Sequence, residues 1–377
     1  MRLTQKLPPK GRVTLIDVAG ASERNEQRGR GAISNQAGRF ERHTKEAFYD
    51  GWGTVETMAP RIETTLTREA ARTIITYNRS PDISFDRTIN PYRGCEHGCV
   101  YCFARPSHAF HGLSAGLDFE SRLFYKPDGP ELLLRELSRP SYVPKPIALG
   151  MNTDAYQPVE RRLELTRAFL KILSDHNHPV TLLTKSALIQ RDIDLLAPMA
   201  AKGLARVGVS ITTLDPRLSR RLEPRAAAPH RRMQTIKALS DAGIPVIAMT
   251  APIIPALNEP ELEALLESAV ENGASSAGYV ILRLPYELKD IVHEWLAEHY
   301  PDRAAKVINL LREMRGGQDY DANWFERGRG RGPHATLISR RFRNATRRLG
   351  LDEPRPRLRT DLFRPPEGPD GQMRLDI

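Results

Sequence analysis

Between residues 83 and 282 the chain alternates two apolar patterns. Short, nearly continuous apolar runs have the length and composition of buried strands: Ile83–Ile89, Ile147–Leu149, Val180–Leu183, Ala205–Ile211, Val246–Ala251 and Ala277–Leu282. Between them lie longer stretches with apolar residues three and four apart, the spacing of one helical face: Glu131–Leu137, Arg161–Asp175, Asp192–Lys202, Pro229–Ala242 and Glu259–Glu271. Local punctuation agrees with these bounds. Gly243 and Pro245 follow the helix that ends at Ala242, and Asn258 stands as a candidate N-cap with Pro260 in the first turn. Repeated strand–helix units predict an α/β fold with parallel strands, a partial (β/α)6 TIM-type barrel or an open sheet. In such folds ligands gather beyond the C-terminal strand ends, so the residues just after each strand are where chemistry is expected.

The flanks lack this order. Residues 1–60 are rich in Arg, Gly and polar residues without sustained period and predict an irregular basic arm; residues 61–300 carry the core. Residues 301–377 form a helical and Arg/Pro-rich extension: a helix at Ala304–Met314, a break at Gly316–Gly317, a final helix at Ala335–Arg348, and an extended tail with Pro354, Pro356, Pro365, Pro366 and Pro369.

Composition places the chain among soluble globular proteins, with 40% apolar and 27% charged residues. No apolar run approaches the roughly 20 residues needed to span a bilayer. Lys6, Pro8, Pro9 and Lys10 stand where a signal peptide needs its apolar centre, so a cytoplasmic location without membrane association is expected. The net charge of +10 resides mainly at the ends: residues 1–50 contribute +4, residues 315–377 contribute +5, and the remainder only +1. The basic tail is either a phosphate-binding element or a solvated extension.

All three cysteines lie within eight residues, in the loop Asn90-Pro-Tyr-Arg-Gly-Cys95-Glu-His-Gly-Cys99-Val-Tyr-Cys102-Phe. An odd, clustered set argues for a metal site rather than a disulfide framework. Three thiolates at spacings of four and three can ligate three corners of a 4Fe–4S cubane and leave the fourth iron open to a small molecule. Gly94 and Gly98 allow the backbone to fold tightly around the sulfurs. The alternative is zinc, with Cys95, Cys99 and Cys102 joined by His97, His108 or His111, although structural zinc usually draws on two separated ligand pairs.

The C-x3-C-x2-C spacing, with aromatic Tyr101 before the last cysteine, resembles the radical S-adenosylmethionine superfamily. That resemblance covers roughly residues 83–290 and implies a 4Fe–4S cluster whose open iron chelates S-adenosylmethionine. Electron transfer from the reduced cluster then yields a 5′-deoxyadenosyl radical that abstracts hydrogen from a substrate. It also implies an electron donor such as flavodoxin or ferredoxin. In the superfamily a short motif after the second strand receives the amino group of S-adenosylmethionine. Gly150-Met-Asn-Thr-Asp stands there, making Asn152, Thr153 and Asp154 candidates; they also suit an N-cap cluster. Lys185 after the third strand is placed for the cofactor's ribose or carboxylate, or for the solvated rim. Ser210 could hold the ribose or satisfy backbone. Arg225 offers a planar fork for the carboxylate, or a surface ion pair. Ile253 and Ile254 suit a wall beside the adenine or the core.

The combination of Asn90-Pro-Tyr-Arg-Gly, Gly150-Met-Asn-Thr-Asp-Ala-Tyr-Gln-Pro, Thr184-Lys-Ser and Ser210-Ile-Thr resembles the branch containing spore photoproduct lyase, a DNA repair enzyme. It is more similar still to bacterial relatives labelled DNA repair photolyases, which the stretch Gly29 to Asn35 also fits. Spore photoproduct lyase uses a further cysteine as hydrogen-atom donor, whereas this chain has none outside the loop, so Tyr156, Tyr279 or Tyr286 replaces it or the reaction differs. Three readings stand: a radical enzyme acting on nucleic acid, one acting on a protein, peptide or small metabolite, and a non-catalytic cluster or zinc protein that binds nucleic acid.

Overall fold

The computed structural model describes residues 29–36, 38–40 and 62–367. Its strands are β1 (Thr65–Arg68), β2 (Ile75–Tyr77), β3 (Arg87–Ile89), β4 (Tyr92–Arg93), β5 (Arg122–Tyr125), β6 (Ile147–Leu149), β7 (Val180–Thr184), β8 (Ala205–Ser210), β9 (Val246–Ile253) and β10 (Ser276–Ile281). Seven form one sheet in the order β10-β9-β8-β7-β6-β3-β2. Neighbours from β3 to β10 pair parallel, and β2 adds an antiparallel edge. With helices between successive strands, this is the expected α/β fold, a partial barrel. β1, β5 and β4 make a second, three-stranded sheet beside the cysteine loop.

The expected elements recur with shifted ends, and three differences have physical causes. The run from Ile83 becomes a strand only at Arg87, because Asn78 binds Phe85 O through its side chain (2.6 Å) and Asp86 O through its amide (2.8 Å), folding the preceding residues into a turn. The helix expected at Arg161–Asp175 breaks into Glu160–Leu163 and Leu165–Asp175 at Glu164, which has φ of 51°. There the buried Glu160 carboxylate accepts from the amides of Thr166 (3.0 Å) and Arg167 (3.4 Å), so a remote acid caps the second helix. Asn258 precedes its helix but caps nothing. Its Oδ1 accepts from Ile254 N (2.6 Å), while its Nδ2 donates to Thr212 O and Pro252 O, and the α-helix Leu262–Glu271 starts after a 3-10 turn.

Residues alternate across each strand. In β9, Val246 and Ala248 are buried against the helices Pro229–Asp241 and Leu262–Glu271, whereas Ile247 and Met249 are half-buried on the inner face. Glycines keep that inner face open: a Cβ on Gly278 would lie 2.7 Å from Met249 Sδ, and one on Gly208 would lie 2.8 Å from Leu183 Cδ1. One apolar core lies between β3, β6–β9 and their helices. A second joins β10 to the helices Leu288–His299, Pro301–Glu313 and Gly332–Arg348.

The C-terminal extension is built into the molecule as far as residue 367. Arg341 pairs with Glu263 (2.6 Å) and Glu259 (3.1 Å), Arg348 with Glu267 (2.6 Å), and Arg327 with Asp82 (2.6 Å). Beyond Arg348 the chain runs without helix or strand past the starts of the strands. Arg355 donates to Ala277 O (2.9 Å), Arg206 to Pro356 O, Arg359 N to Gly203 O (3.0 Å) and Arg364 N to His176 O (3.0 Å). The tail is extended, as its prolines suggest, and these hydrogen bonds tie it to the body while most of residues 352–367 stay exposed. It crosses the end of the sheet opposite the cysteine loop. Of the basic N-terminal arm, residues 1–28, 37 and 41–60 lie outside the described residues, as do residue 61 and residues 368–377 of the tail.

Candidate active site

The cysteine loop leaves the C-terminal end of β3, where the strand–helix series predicts ligands. Gly94 and Gly98 take positive φ (76° and 68°), and the loop is held from both sides: Cys95 N donates to Phe119 O (3.0 Å) and Val100 N to Leu222 O (2.9 Å). Cys95 and Cys99 are buried and Cys102 half-buried. Burial pushes the Cys99 thiol up to about 12 against the pull of Lys185, and pushes Cys95 well up, with Asp154 adding to it. Thiols in such surroundings become thiolates when a cation compensates their charge, which is what cluster iron would provide.

Each histidine named for zinc has another neighbour. His97 Nδ1 faces Asp154 Oδ2 at 3.2 Å, His108 Nε2 meets Arg122 O at 2.9 Å, and His111 stacks on Phe124 with centroids 4.6 Å apart. Among the described residues no three His, Cys, Asp or Glu side chains converge as ligands of a single ion.

Around the loop the candidates divide into groups already engaged and groups left available. Thr153 donates to Gly94 O (2.7 Å), and Gln157 joins that bond while accepting from Glu96 N (2.8 Å), so both shape the loop. Asp154 accepts from Tyr156 N (2.9 Å), Thr184 Oγ1 (2.7 Å) and Lys185 N (2.9 Å). Burial raises its carboxyl, but His97 and these donors outweigh that and hold it well below the ordinary range. Ser210 donates to Ala251 O (3.2 Å). Arg225 pairs with the buried Glu96 at 3.2 Å, tying the Glu223-Pro-Arg225 stretch to the cysteine loop. Ile253 and Ile254 are buried in the second core. Two candidates remain without a hydrogen-bond partner for their side chains among the described residues: the Asn152 amide and the Lys185 ammonium, which lies 5.6 Å from the Tyr101 ring centroid.

Two arrangements were not readable beforehand. Tyr101 Oη donates to Glu223, contacts Thr212 Oγ1 at 3.0 Å, and Glu223 pairs with Arg232, all four residues being buried. On the other side, Glu120 accepts from Arg105 (2.5 Å) and from Gly31 N (2.9 Å) and Ala32 N (2.8 Å), locking the irregular arm onto the loop. The arm's Gly-Arg-Gly pattern was visible; its buried carboxylate partner was not. Of the candidate donor tyrosines, Tyr156 is buried on Asp192 (3.1 Å), Tyr279 is buried beneath Arg329 and Phe342, and Tyr286 is exposed at the rim.

Comparison with known proteins bears directly on this site. Residues 89–269 match the Radical SAM superfamily. An uncharacterized protein of Mycobacterium tuberculosis (strain ATCC 25618 / H37Rv) is 34% identical over 232 residues, 61% of this chain and 68% of that protein. One of Methanocaldococcus jannaschii is 31% identical over 173 residues, 46% and 62% respectively. Among solved structures, spore photoproduct lyase complexed with dinucleoside spore photoproduct superposes with a TM-score of 0.54 at 16% identity, covering 77% of this chain and 81% of that one. A variant of the same enzyme with bound AdoMet and dinucleoside spore photoproduct gives 0.55 at 16% identity and the same coverage. The fold is shared with that enzyme.

Proposed function

We propose that this chain, which belongs to the radical SAM superfamily, holds a 4Fe–4S cluster on Cys95, Cys99 and Cys102 and uses S-adenosylmethionine to abstract hydrogen from a nucleic acid. The observation that carries the radical chemistry is the buried three-cysteine loop at the C-terminal end of β3, with a half-buried ammonium and an uncommitted amide beside it. When bound, the reduced cluster supplies the electron that cleaves S-adenosylmethionine to a 5′-deoxyadenosyl radical.

The chain's own residues have distinct tasks in this reading. Asn152 would accept from the cofactor's ammonium through its side-chain oxygen and Lys185 would pair with its carboxylate, each filling bonding capacity it lacks in the protein alone. Asp154 positions Lys185 by accepting from its backbone amide, and Asn90 Oδ1 accepts from the Asn152 backbone amide. Glu223 and Arg232 hold Tyr101 rigid against the loop. The arm clamped by Glu120 covers the loop and limits water access.

Nucleic acid as substrate is supported by the ligand of the structurally similar lyase and by aromatic and arginine side chains at the site's rim. A second reading, a peptide or small metabolite, draws on the near-neutral charge of the central chain. The test is anaerobic reconstitution with a flavodoxin- or ferredoxin-type reductant, followed by assay for 5′-deoxyadenosine and for deuterium exchange with labelled oligonucleotides. No 5′-deoxyadenosine from a protein holding its iron would refute the radical reading. Deuterium transfer confined to peptides would favour the second.

A further inference from the structure

Several arginines near the C-terminus meet carboxylates: Arg312 meets Asp319 (2.5 Å), Arg327 meets Asp82 (2.6 Å) and Arg341 meets Glu263 (2.6 Å). Arg283, just beyond β10, does not. Among the described residues no carboxylate lies within ion-pair distance of it, and its only hydrogen-bond partner is Tyr320 Oη, 3.3 Å from Nη2. Its Nε is buried without a partner, which costs free energy. The fully buried Arg315 nearby also has an unpartnered Nε. Asp321 and Glu326 act on Arg315, and neither pairs with Arg283.

The guanidinium of Arg283 lies 4.9 Å from the ring centroid of Phe103, the residue after Cys102. Phe103 remains 45% exposed, so part of the ring is open for stacking. A guanidinium over a ring face can keep its Nη donors free for a phosphate. Tyr320 connects this pair to an open cavity of about 680 Å³ lined by Leu284, Tyr286 and Arg39. The Arg39 and Arg312 charges in that cavity are met by Glu287 and Asp319, whereas Arg283, reached through Tyr320 and outside that lining, has no carboxylate partner among the described residues.

We propose that Arg283 anchors a backbone phosphate of the substrate while a neighbouring base stacks on Phe103. This presents a single-stranded or everted nucleotide to the cluster side of the barrel. The proposal rests on the nucleic-acid reading above and assigns the contact that reading needs.

The experiment is fluorescence anisotropy of the reconstituted full chain with a fluorescein-labelled oligothymidylate of about 12 nucleotides across a salt series. Arg283→Ala should weaken binding about tenfold or more and lower the log–log salt slope by about one. Arg283→Lys, which guards against misfolding, should keep the slope but lose affinity. Phe103→Leu should weaken binding roughly 5- to 100-fold with the slope unchanged. Arg348→Ala, on the outer helix, should change affinity no more than any surface charge. Wild-type affinity and slope in Arg283→Ala, or an equal loss in Arg348→Ala, overturns the anchor. Competition by thymidine monophosphate as effective as that by oligonucleotide overturns its assignment to a nucleic-acid backbone. Binding requires neither S-adenosylmethionine nor reductant, so failure here is distinct from failure to form 5′-deoxyadenosine.

Discussion

Arg105 and Glu120 form an ion pair of 2.5 Å in which neither side chain is exposed. Arg105 also donates to the carbonyls of Cys99 (2.8 Å), Ala115 (3.0 Å) and Gly116 (2.9 Å), and Glu120 holds the Gly31 and Ala32 amides. One buried pair therefore joins the cysteine loop, the helix that follows it and the N-terminal arm. Removing one partner strands a buried charge. Glu120→Ala should cost about 3–5 kcal/mol in urea unfolding, whereas replacing both residues with apolar side chains should cost much less than the two single changes added together.

The approach of arm to loop is tight enough to test with one methyl group. A Cβ on Gly31 would sit 1.8 Å from the Gly98 carbonyl oxygen, so backbone must move. Gly31→Ala should destabilise the protein by about 1–3 kcal/mol or displace the arm. Faster loss of reconstituted iron under oxygen is the expected readout, and unchanged stability and iron retention would show that the arm does not bear on the loop.

Cys95→Ala, Cys99→Ala and Cys102→Ala should each abolish 5′-deoxyadenosine formation and the cluster's electron paramagnetic resonance signal. His111→Ala should retain the cluster, because that ring stacks on Phe124 rather than facing the cysteines. Loss of bound metal in His111→Ala, together with no 5′-deoxyadenosine from the wild type, would return the loop to the zinc alternative.

Tyr101, Glu223 and Arg232 behave as one buried unit. Glu223→Gln keeps the shape but removes the charge that balances Arg232, so a loss of roughly 3–5 kcal/mol is expected. A double-mutant cycle with Arg232→Met should show strong coupling, and additive losses would mean that the pair contributes independently.

Acid should weaken the docking of the tail. Burial depresses His178 to about 4 from its ordinary 6.5. Its Nδ1 donates to Pro179 O (3.0 Å), Nε2 accepts from Tyr142 (2.7 Å), and the ring packs edge-on to Phe363 of the tail. The folded state then binds fewer protons than the unfolded one between pH 6.5 and 4. Stability is therefore complete above 6.5 and lost as pH falls toward 4, by up to about 1.4 kcal/mol per pH unit for this group. His108, also depressed to about 4 by burial, adds a similar slope. In urea titrations at pH 7 and pH 5, His178→Gln should reduce the acid-induced loss by about half.

The sequence by itself determined the strand–helix alternation, the parallel α/β fold class and the three-cysteine loop at a strand end. These depend on local periodicity and on ligand spacing within one short segment, both of which a linear chain displays. Tertiary structure decided the charged partnerships. Gly31 and Glu120 are 89 residues apart, Tyr101 and Glu223 are 122 apart, and Asp82 and Arg327 are 245 apart. Nothing local marks Glu120 or Glu223 as buried, since an acid is buried only where a distant cation or amide compensates its desolvation. The same physics separates the tail's arginines: their positive charge is plain in the sequence, but only folding decides which of them meet carboxylates, as Arg327, Arg341 and Arg348 do, and leaves Arg283, outside the tail, with unfilled donors.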